Sequence, residues 1–235
     1  MSATKPTRIC ADCSHSAGER LSFPKWLRYC VQISVNISGL FLFAFGVVLN
    51  LRSGLGLGPW DVLHQGISLR TPFSFGEASQ IVGALVIAVG LALRVRPGLG
   101  TLLNMVLIGF FVDRILTSGA IPDIEPYGLP AQLAVDVVGV LIVGLGSGLY
   151  IRANLGAGPR DGLMLGLHRL TGWRVAVTRG ALELCAAATG HALGGSLGVG
   201  TLIFAIGIGP AVELGLYAFQ LSGNGWRHSD SRLAS

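Results

Sequence analysis

The stretch LRSGLGLGPWDVLHQG at residues 51–66 decides the fold, because the chain repeats it as IRANLGAGPRDGLMLG at 151–166. A shift of 100 residues aligns the two copies without a gap, and residues 39–116 then match at 24 of 78 positions. An internal repeat of this size organises a whole fold, so the sequence predicts two related halves. Within the quoted stretch the recurring residues are Arg52, Leu55, Gly56, Gly58, Pro59, Asp61, Leu63 and Gly66.

The composition indicates that both halves lie in a membrane. Hydrophobic residues make up 51% of the 235 positions and charged residues only 12%, against about 25% charged in an ordinary soluble domain. This excludes a soluble enzyme, and the net charge of +5 is too dispersed for a nucleic-acid binder. A membrane-spanning helix needs about 20 apolar residues. Six stretches approach that length, which predicts an all-α polytopic protein in the lipid bilayer: 30–51, 79–95, 99–117, 131–151, 177–194 and 199–221.

Each half contains three of these spans, and three is an odd number. The second half must therefore enter the membrane from the opposite side to the first, as in the inverted repeats of several transporter folds. The predicted organisation is a basic tail, a first repeat, an acidic outer linker, a second repeat and a second tail, at 1–29, 30–118, 119–130, 131–221 and 222–235.

The basic residues predict the orientation, because Lys and Arg concentrate in cytoplasmic loops. With the N-terminus inside, fourteen of the 17 basic residues lie on the inner side and only Arg52, Arg70 and Arg114 lie outside. The linker at 119–130 carries Asp123 and Glu125 without a basic residue, which suits the outer face. Both termini are therefore predicted to be cytoplasmic.

A short helix is predicted after the Gly-Pro step in each copy. Glycine permits backbone angles that other residues avoid, and Pro59 or Pro159 suits a first helical turn. The apolar stretches 62–69 and 163–170 cover only about a third of a bilayer, so each reads as a half-helix. The residues expected to shape this backbone are Gly56, Gly58, Pro59, Gly156, Gly158 and Pro159.

Asp61 and Asp161 stand at the same place in the two half-helices and are the first candidates for binding a substrate or an ion. In the functional interpretation, the two elements enter from opposite faces and converge on a central site. In the alternative interpretation, each aspartate only caps its helix and complements the helix dipole.

Four further charged residues form matched pairs, and ionisable residues in membrane spans are functional candidates. Arg52 and Arg152 match each other, as do Asp113 and Glu213. An Arg–carboxylate pair could form within each half, joining Arg52 with Asp113 and Arg152 with Glu213. The alternative is that these side chains extend to the membrane surface.

No catalytic or cofactor motif stands out. The chain has no P-loop, no H-E-x-x-H and no G-x-S-x-G, and its glycine-rich stretch lacks the strand–turn–helix context of a dinucleotide fingerprint. Cys10, Cys13 and His15 could hold zinc only with a fourth ligand, and otherwise belong to a tail with reduced thiols. We therefore expect no enzyme activity, no cofactor and no metal.

The strings GLGLGPWDVL at 54–63, GLGTLLNMVLIGFFVD at 98–113 and NLGAGPRDGL at 154–163 resemble the YczE/YyaS/YitT family of bacterial integral membrane proteins. The resemblance covers roughly 30–220 and implies a multi-pass protein of the bacterial inner membrane without established catalytic residues. The sequence shows no counterpart of the soluble ligand-binding domain of YitT-type members, so the resemblance leads us to expect the shorter, YczE-like type.

The expected function is secondary transport or export of a small molecule, with a coupling ion as a further partner. The alternative is a membrane accessory protein that regulates a partner without transporting anything.

Overall fold

The computed structural model describes residues 25–156 and 158–221, and the predicted Cys10–Cys13 motif lies outside them. The described chain is all-helical, with eight α-helices joined by short connections. They are α1 (Lys25–Ser53), α2 (Pro59–Arg70), α3 (Phe75–Ala92), α4 (Leu99–Ser118), α5 (Leu129–Arg152), α6 (Pro159–Thr171), α7 (Val175–Ala192) and α8 (Val199–Leu221). A 3-10 turn at Glu125–Tyr127 lies in the predicted linker.

A helix covers each of the six predicted spans, and short helices begin at Pro59 and Pro159 as predicted. Five helices (α1, α3, α4, α5 and α8) are long and apolar enough to cross a membrane. The remaining predicted span, 177–194, corresponds to α7, which does not meet that standard. Its 18 residues include Arg179, Glu183 and His191, and these polar side chains lower its mean hydropathy.

Helices α1 and α5 cross at the centre of the molecule and run antiparallel. Gly39 lies against Gly146, and Gly46 lies against Gly139. A Cβ at Gly39 would lie 2.9 Å from the Gly146 carbonyl oxygen, and a Cβ at Gly46 would lie 2.7 Å from that of Gly139. The backbones therefore meet without intervening side chains, a mode of packing common between membrane helices.

The other helices pack around this crossing in matching pairs. Helix α4 lies on α1 and α8 lies on α5, while α2 packs against α7 and α3 packs against α6. Each short helix thus contacts a long helix from the other half. The buried core is formed by α1, α2, α4, α5, the start of α3 and the turn before α2, and it contains Ala44, Val47, Val48, Leu57, Val62, Phe75, Val112 and Val143.

The outward faces of the long helices are apolar. Leu85 on α3, Leu184 on α7 and Ile206 on α8 are each more than half exposed. A soluble surface rarely exposes so many large apolar side chains, whereas lipid tails match them. The fold is therefore suited to a bilayer.

One packing contact differs between the halves. In the first half α3 lies on α4, and Gly76 and Gly109 approach so closely that a Cβ on either would clash with the other's carbonyl oxygen. In the second half Gly209 has nothing within 4 Å of its Cβ position. Among the described residues, α7 and α8 share no comparable contact.

Candidate functional site

The starts of α2 and α6 line one cavity of about 210 Å³. Gly58, Pro59, Trp60 and Asp61 contribute from the first copy of the repeated element. The second copy contributes the four residues Gly158 to Asp161. Two segments that lie 100 residues apart in the sequence therefore face the same space.

Unusual backbone conformations produce the turn before each short helix. Gly56 has φ of +117° and Gly156 has φ of +127°, a region that residues with a side chain rarely adopt. Two positions earlier, Gly54 and Asn154 also have positive φ, and asparagine tolerates that conformation better than most residues. The glycines predicted to shape the backbone at 56 and 156 are thus required by the observed geometry.

Each turn is attached to the opposite half. The Gly100 N–H donates to the Leu155 carbonyl at 2.8 Å, and the Gly200 N–H donates to the Leu55 carbonyl at 2.9 Å. These bonds join the start of α4 to the second turn and the start of α8 to the first. The position of each short helix therefore depends on a long helix of the other half.

Asp61 is buried and lies among groups that can be positively charged. Its Oδ1 is 3.4 Å from Nδ1 of His64 and 4.0 Å from a guanidinium nitrogen of Arg160. The Arg160 guanidinium also lies over the Trp60 ring, 5.0 Å from its centre, where the ring face attracts a cation. The Arg160 side chain of the second copy is thus held against Trp60 and Asp61 of the first copy.

Asp161 is half-buried in the cavity wall and has different surroundings. Over the described ranges, its carboxylate has no ion-pair partner within 4 Å and no hydrogen bond. Neither Asp161 nor Asp61 accepts a hydrogen bond from a backbone N–H of its own helix, and both helices lack a side-chain cap. The capping geometry of the alternative interpretation is therefore not observed.

A third acidic side chain completes the cavity. Glu183 on α7 pairs with Arg179 one turn earlier, at 2.9 Å. The polar groups of Asn104, Ser147 and Tyr150 also line the cavity, which has apolar walls from Phe43, Ile108, Val143, Met164, Leu182 and Phe204. The space thus combines aromatic and aliphatic walls with carboxylate and guanidinium groups, as small-molecule sites do.

The other four predicted residues lie outside this cavity. Arg52 binds Asp123 of the linker at 2.5 Å. Asp113 instead accepts hydrogen bonds from the Ser74 hydroxyl at 2.5 Å and from the Gly76 N–H at 2.8 Å. The possible pairing of Arg52 with Asp113 is therefore not formed, because the Ser74 hydroxyl and the Gly76 N–H at the start of α3 bind the carboxylate.

The second predicted pairing is also absent. Glu213 is exposed on α8 and forms no ion pair with another described residue. No group of three or more His, Cys, Asp or Glu side chains within the described ranges is arranged to hold a metal ion.

Sequence reasoning missed Arg160, Arg179, Glu183 and Tyr150 as cavity residues. Arg160 replaces Trp60 at the variable position of the Gly-Pro-x-Asp element, and a difference inside a duplicated motif could have revealed it. Arg179 and Glu183 lie four residues apart in a predicted span, where charged residues are unusual. Tyr150 gave no signal, because aromatic residues are common near the ends of membrane helices.

Comparison with known proteins places this architecture in a family. Residues 30–215 match the model of a family of unknown function, DUF6198. An uncharacterized protein of Haemophilus influenzae is 38% identical over 80% of this chain and 84% of its own length. The uncharacterized membrane protein YczE of Bacillus subtilis is 38% identical over 76% of this chain and 82% of its own.

The uncharacterized protein YyaS of the same bacterium is 25% identical over 70% of this chain and 82% of its own. No solved structure matches the chain. The resemblance to YczE and YyaS is confirmed, and the apolar helices agree with the membrane location in the name of YczE. The chain therefore belongs to the DUF6198 family and is an integral membrane protein.

Proposed function

We propose that this protein is a secondary transporter or exporter of a small molecule, and that the cavity between α2 and α6 is its substrate site. One observation carries the proposal. The two copies of a duplicated Gly-Pro-x-Asp element line a single cavity, and their carboxylates are not engaged in capping the helices that carry them.

The proposed topology has six spans in two inverted repeats, with both termini in the cytoplasm of a bacterial cell. The fourteen-to-three distribution of basic residues supports the orientation. The matching contacts of α1 with α4 and α5 with α8, and of α2 with α7 and α3 with α6, support the two-fold relation. In this arrangement α7 is the fifth of the six spans, and its charged residues Arg179 and Glu183 face the cavity.

The cavity residues have distinct roles in the proposal. Asp161 has no cationic partner within the described chain, so it is available to bind a positively charged or hydrogen-bonding group of the substrate. Arg160 is held by Trp60 and by a long contact with Asp61, so a substrate carboxylate could compete for it. Binding and transport are proposed, and catalysis is not.

A ligand screen followed by a flux measurement tests the proposal. The purified protein is screened by thermal shift against a panel of amines, amino acids and other zwitterions, because a ligand that binds the folded state raises stability. A radiolabelled form of each stabilising compound is then offered to proteoliposomes preloaded with the unlabelled compound. Counterflow that Asp161→Asn abolishes supports transport.

The accessory-protein alternative predicts a different result. A protein that only regulates a partner shows no counterflow with any compound, including compounds that stabilise it. Absence of flux for every stabilising compound in sealed proteoliposomes would contradict the transport proposal.

A further inference from the structure

A second polar site lies away from the cavity, at the meeting point of α1, α5 and α8. Asp136 on α5 is only 1% exposed, and its Oδ1 accepts a hydrogen bond from the Ser53 hydroxyl at 3.2 Å. Its other oxygen, Oδ2, is buried without a hydrogen-bond partner among the described residues. This carboxylate belongs neither to the cavity nor to any matched acidic pair, because position 36 carries asparagine.

No cationic side chain neutralises Asp136 within residues 25–156 and 158–221. Arg52 directly precedes Ser53, the hydrogen-bond partner of Asp136. Its guanidinium, however, is bound to Asp123. An isolated charge in an apolar interior is strongly unfavourable, so buried carboxylates bind a cation or a proton. The structure therefore leaves Asp136 in need of a bound cation or a proton.

Several oxygen atoms lie near Asp136. Ser53 ends α1, so the negative end of the helix dipole lies beside the carboxylate. The side-chain oxygen of Asn50 lies against Gly139, one turn along α5 from Asp136, and is also buried without a hydrogen-bond partner. The Gly56 carbonyl oxygen and Asp136 Oδ1 both flank Gly200, at 2.7 and 3.0 Å from the position of a Cβ there.

We infer that Asp136, Ser53 and Asn50 form a binding site for one Na⁺ ion at the end of α1. Carboxylate, hydroxyl, amide and carbonyl oxygens are the ligands of hard cations. A single carboxylate balances one positive charge, which selects a monovalent ion. Helix C-terminal ends next to non-helical backbone favour cations for the same electrostatic reason.

The repeat provides a built-in comparison for this site. The positions that match Asp136, Asn50 and Ser53 in the other half carry, in the same order, Asn36, Tyr150 and Ala153. None of these three residues has a carboxylate. Asn36 and Ala153 are buried, as Asp136 and Ser53 are. The fold therefore accommodates asparagine and alanine at corresponding positions, so Asp136→Asn and Ser53→Ala are expected to fold.

The site can be tested on purified protein without any transported substrate. Thermal unfolding is measured in NaCl and in choline chloride at constant ionic strength and neutral pH. The unaltered protein should show a saturable rise in Tm of several degrees with Na⁺, because the ion binds only the folded state. Asp136→Asn should lose this rise, and Ser53→Ala should need about tenfold more Na⁺ for half saturation.

Glu125→Gln is the control, because it removes an exposed carboxylate of the linker and leaves the ion pair of Arg52 with Asp123 intact. It should keep the full Na⁺ response. A Tm that does not depend on Na⁺, or a response that Asp136→Asn retains, would overturn the inference. A Tm that is independent of Na⁺ but falls with rising pH only when Asp136 is present would show a bound proton instead, which also overturns it.

If Asp136→Asn fails to fold, the half-saturation of Ser53→Ala decides, and an unchanged value counts against the site. The inference is independent of the transport proposal. A Na⁺ response without substrate flux would support the Na⁺ site and contradict transport. Substrate flux without a Na⁺ response would support transport and overturn the Na⁺ site.

Discussion

At the level of single residues, Asp61 and Asp161 occupy the same place in the duplicated element but have different neighbours. Asp61 is buried beside His64 and Arg160, whereas Asp161 is half-buried in the cavity wall. Their roles should therefore differ, with Asp161 open to a substrate and Asp61 helping to hold Arg160.

The first prediction follows from this difference. Asp161→Asn should fold normally, because asparagine removes the charge and keeps the size, and it should lose counterflow in proteoliposomes. Asp61→Asn should also reduce flux, with a small loss of stability from the unbalanced Arg160. Glu125→Gln, in the linker outside the cavity, is the control and should transport normally. Full activity of Asp161→Asn would remove Asp161 from the substrate site.

The second prediction concerns the turn before α2. Gly56→Ala should lower the free energy of unfolding by about 2–4 kcal/mol, because alanine is strained at φ of +117° and its Cβ would lie 2.7 Å from the Gly198 nitrogen. Gly180→Ala is the control, because this helical glycine has nothing within 4 Å of its Cβ position. It should be neutral or slightly stabilising. Equal effects in denaturant unfolding would contradict the strained geometry.

How far the site could be predicted depends on the residue. Gly56, Gly58, Pro59 and Asp61 were predictable, because duplication marks positions that both halves need. The hydrogen-bond partners of Asp113 were not predictable. Its carboxylate binds the start of α3 across a helix–helix contact, and a sequence does not reveal which N–H groups a long-range packing contact will bring within reach.

At the level of elements, the start of α3 has two acidic supports. Ser74 and Glu77 form a capping box, in which the Ser74 side chain accepts from the Glu77 N–H at 3.0 Å and Glu77 accepts from the Ser74 N–H at 2.9 Å. Asp113 on α4 adds its bonds to the Ser74 hydroxyl and the Gly76 N–H. The carboxylate thus fixes α3 against α4 as well as capping it.

The third prediction compares matched acidic positions on α4 and α8. Asp113→Ala should lower the free energy of unfolding by about 1–3 kcal/mol, because it leaves a half-buried hydroxyl and an N–H without their acceptor. Glu213→Ala, 100 residues later on an exposed face, should change stability by no more than about 0.5 kcal/mol. Similar losses in both variants, measured by denaturant unfolding, would contradict the cap.

Helix positions were predictable because apolar length and Gly-Pro steps mark them locally. The short helices begin at Pro59 and Pro159, where proline fits a first turn. The packing of α2 on α7 and of α3 on α6 was not predictable in this way. It depends on close approaches such as Gly66 to Gly190, which involve residues far apart in the chain and have no local pattern.

At the level of the whole molecule, the proposed orientation places the linker outside and the end of α6 inside. The fourth prediction uses single cysteines at Tyr127, which is 68% exposed, and at Thr171, also exposed, in a background without the four native cysteines. An impermeant thiol reagent added to whole cells should label Tyr127→Cys and not Thr171→Cys, and both should react after the membrane is permeabilised. The reverse pattern would contradict the assignment of faces.

The unequal packing of α3 on α4 and of α7 beside α8 follows from sequence differences inside the repeat. Gly76 lets α3 approach Gly109, whereas the matching position 176 carries alanine, whose Cβ would clash with the helix backbone in the same arrangement. Ser74, which donates its hydroxyl to Asp113, is likewise replaced by Arg174. The two halves therefore share a chain path but not the contact that joins α3 to α4, and Gly209 is left with no described atom within 4 Å of its Cβ position.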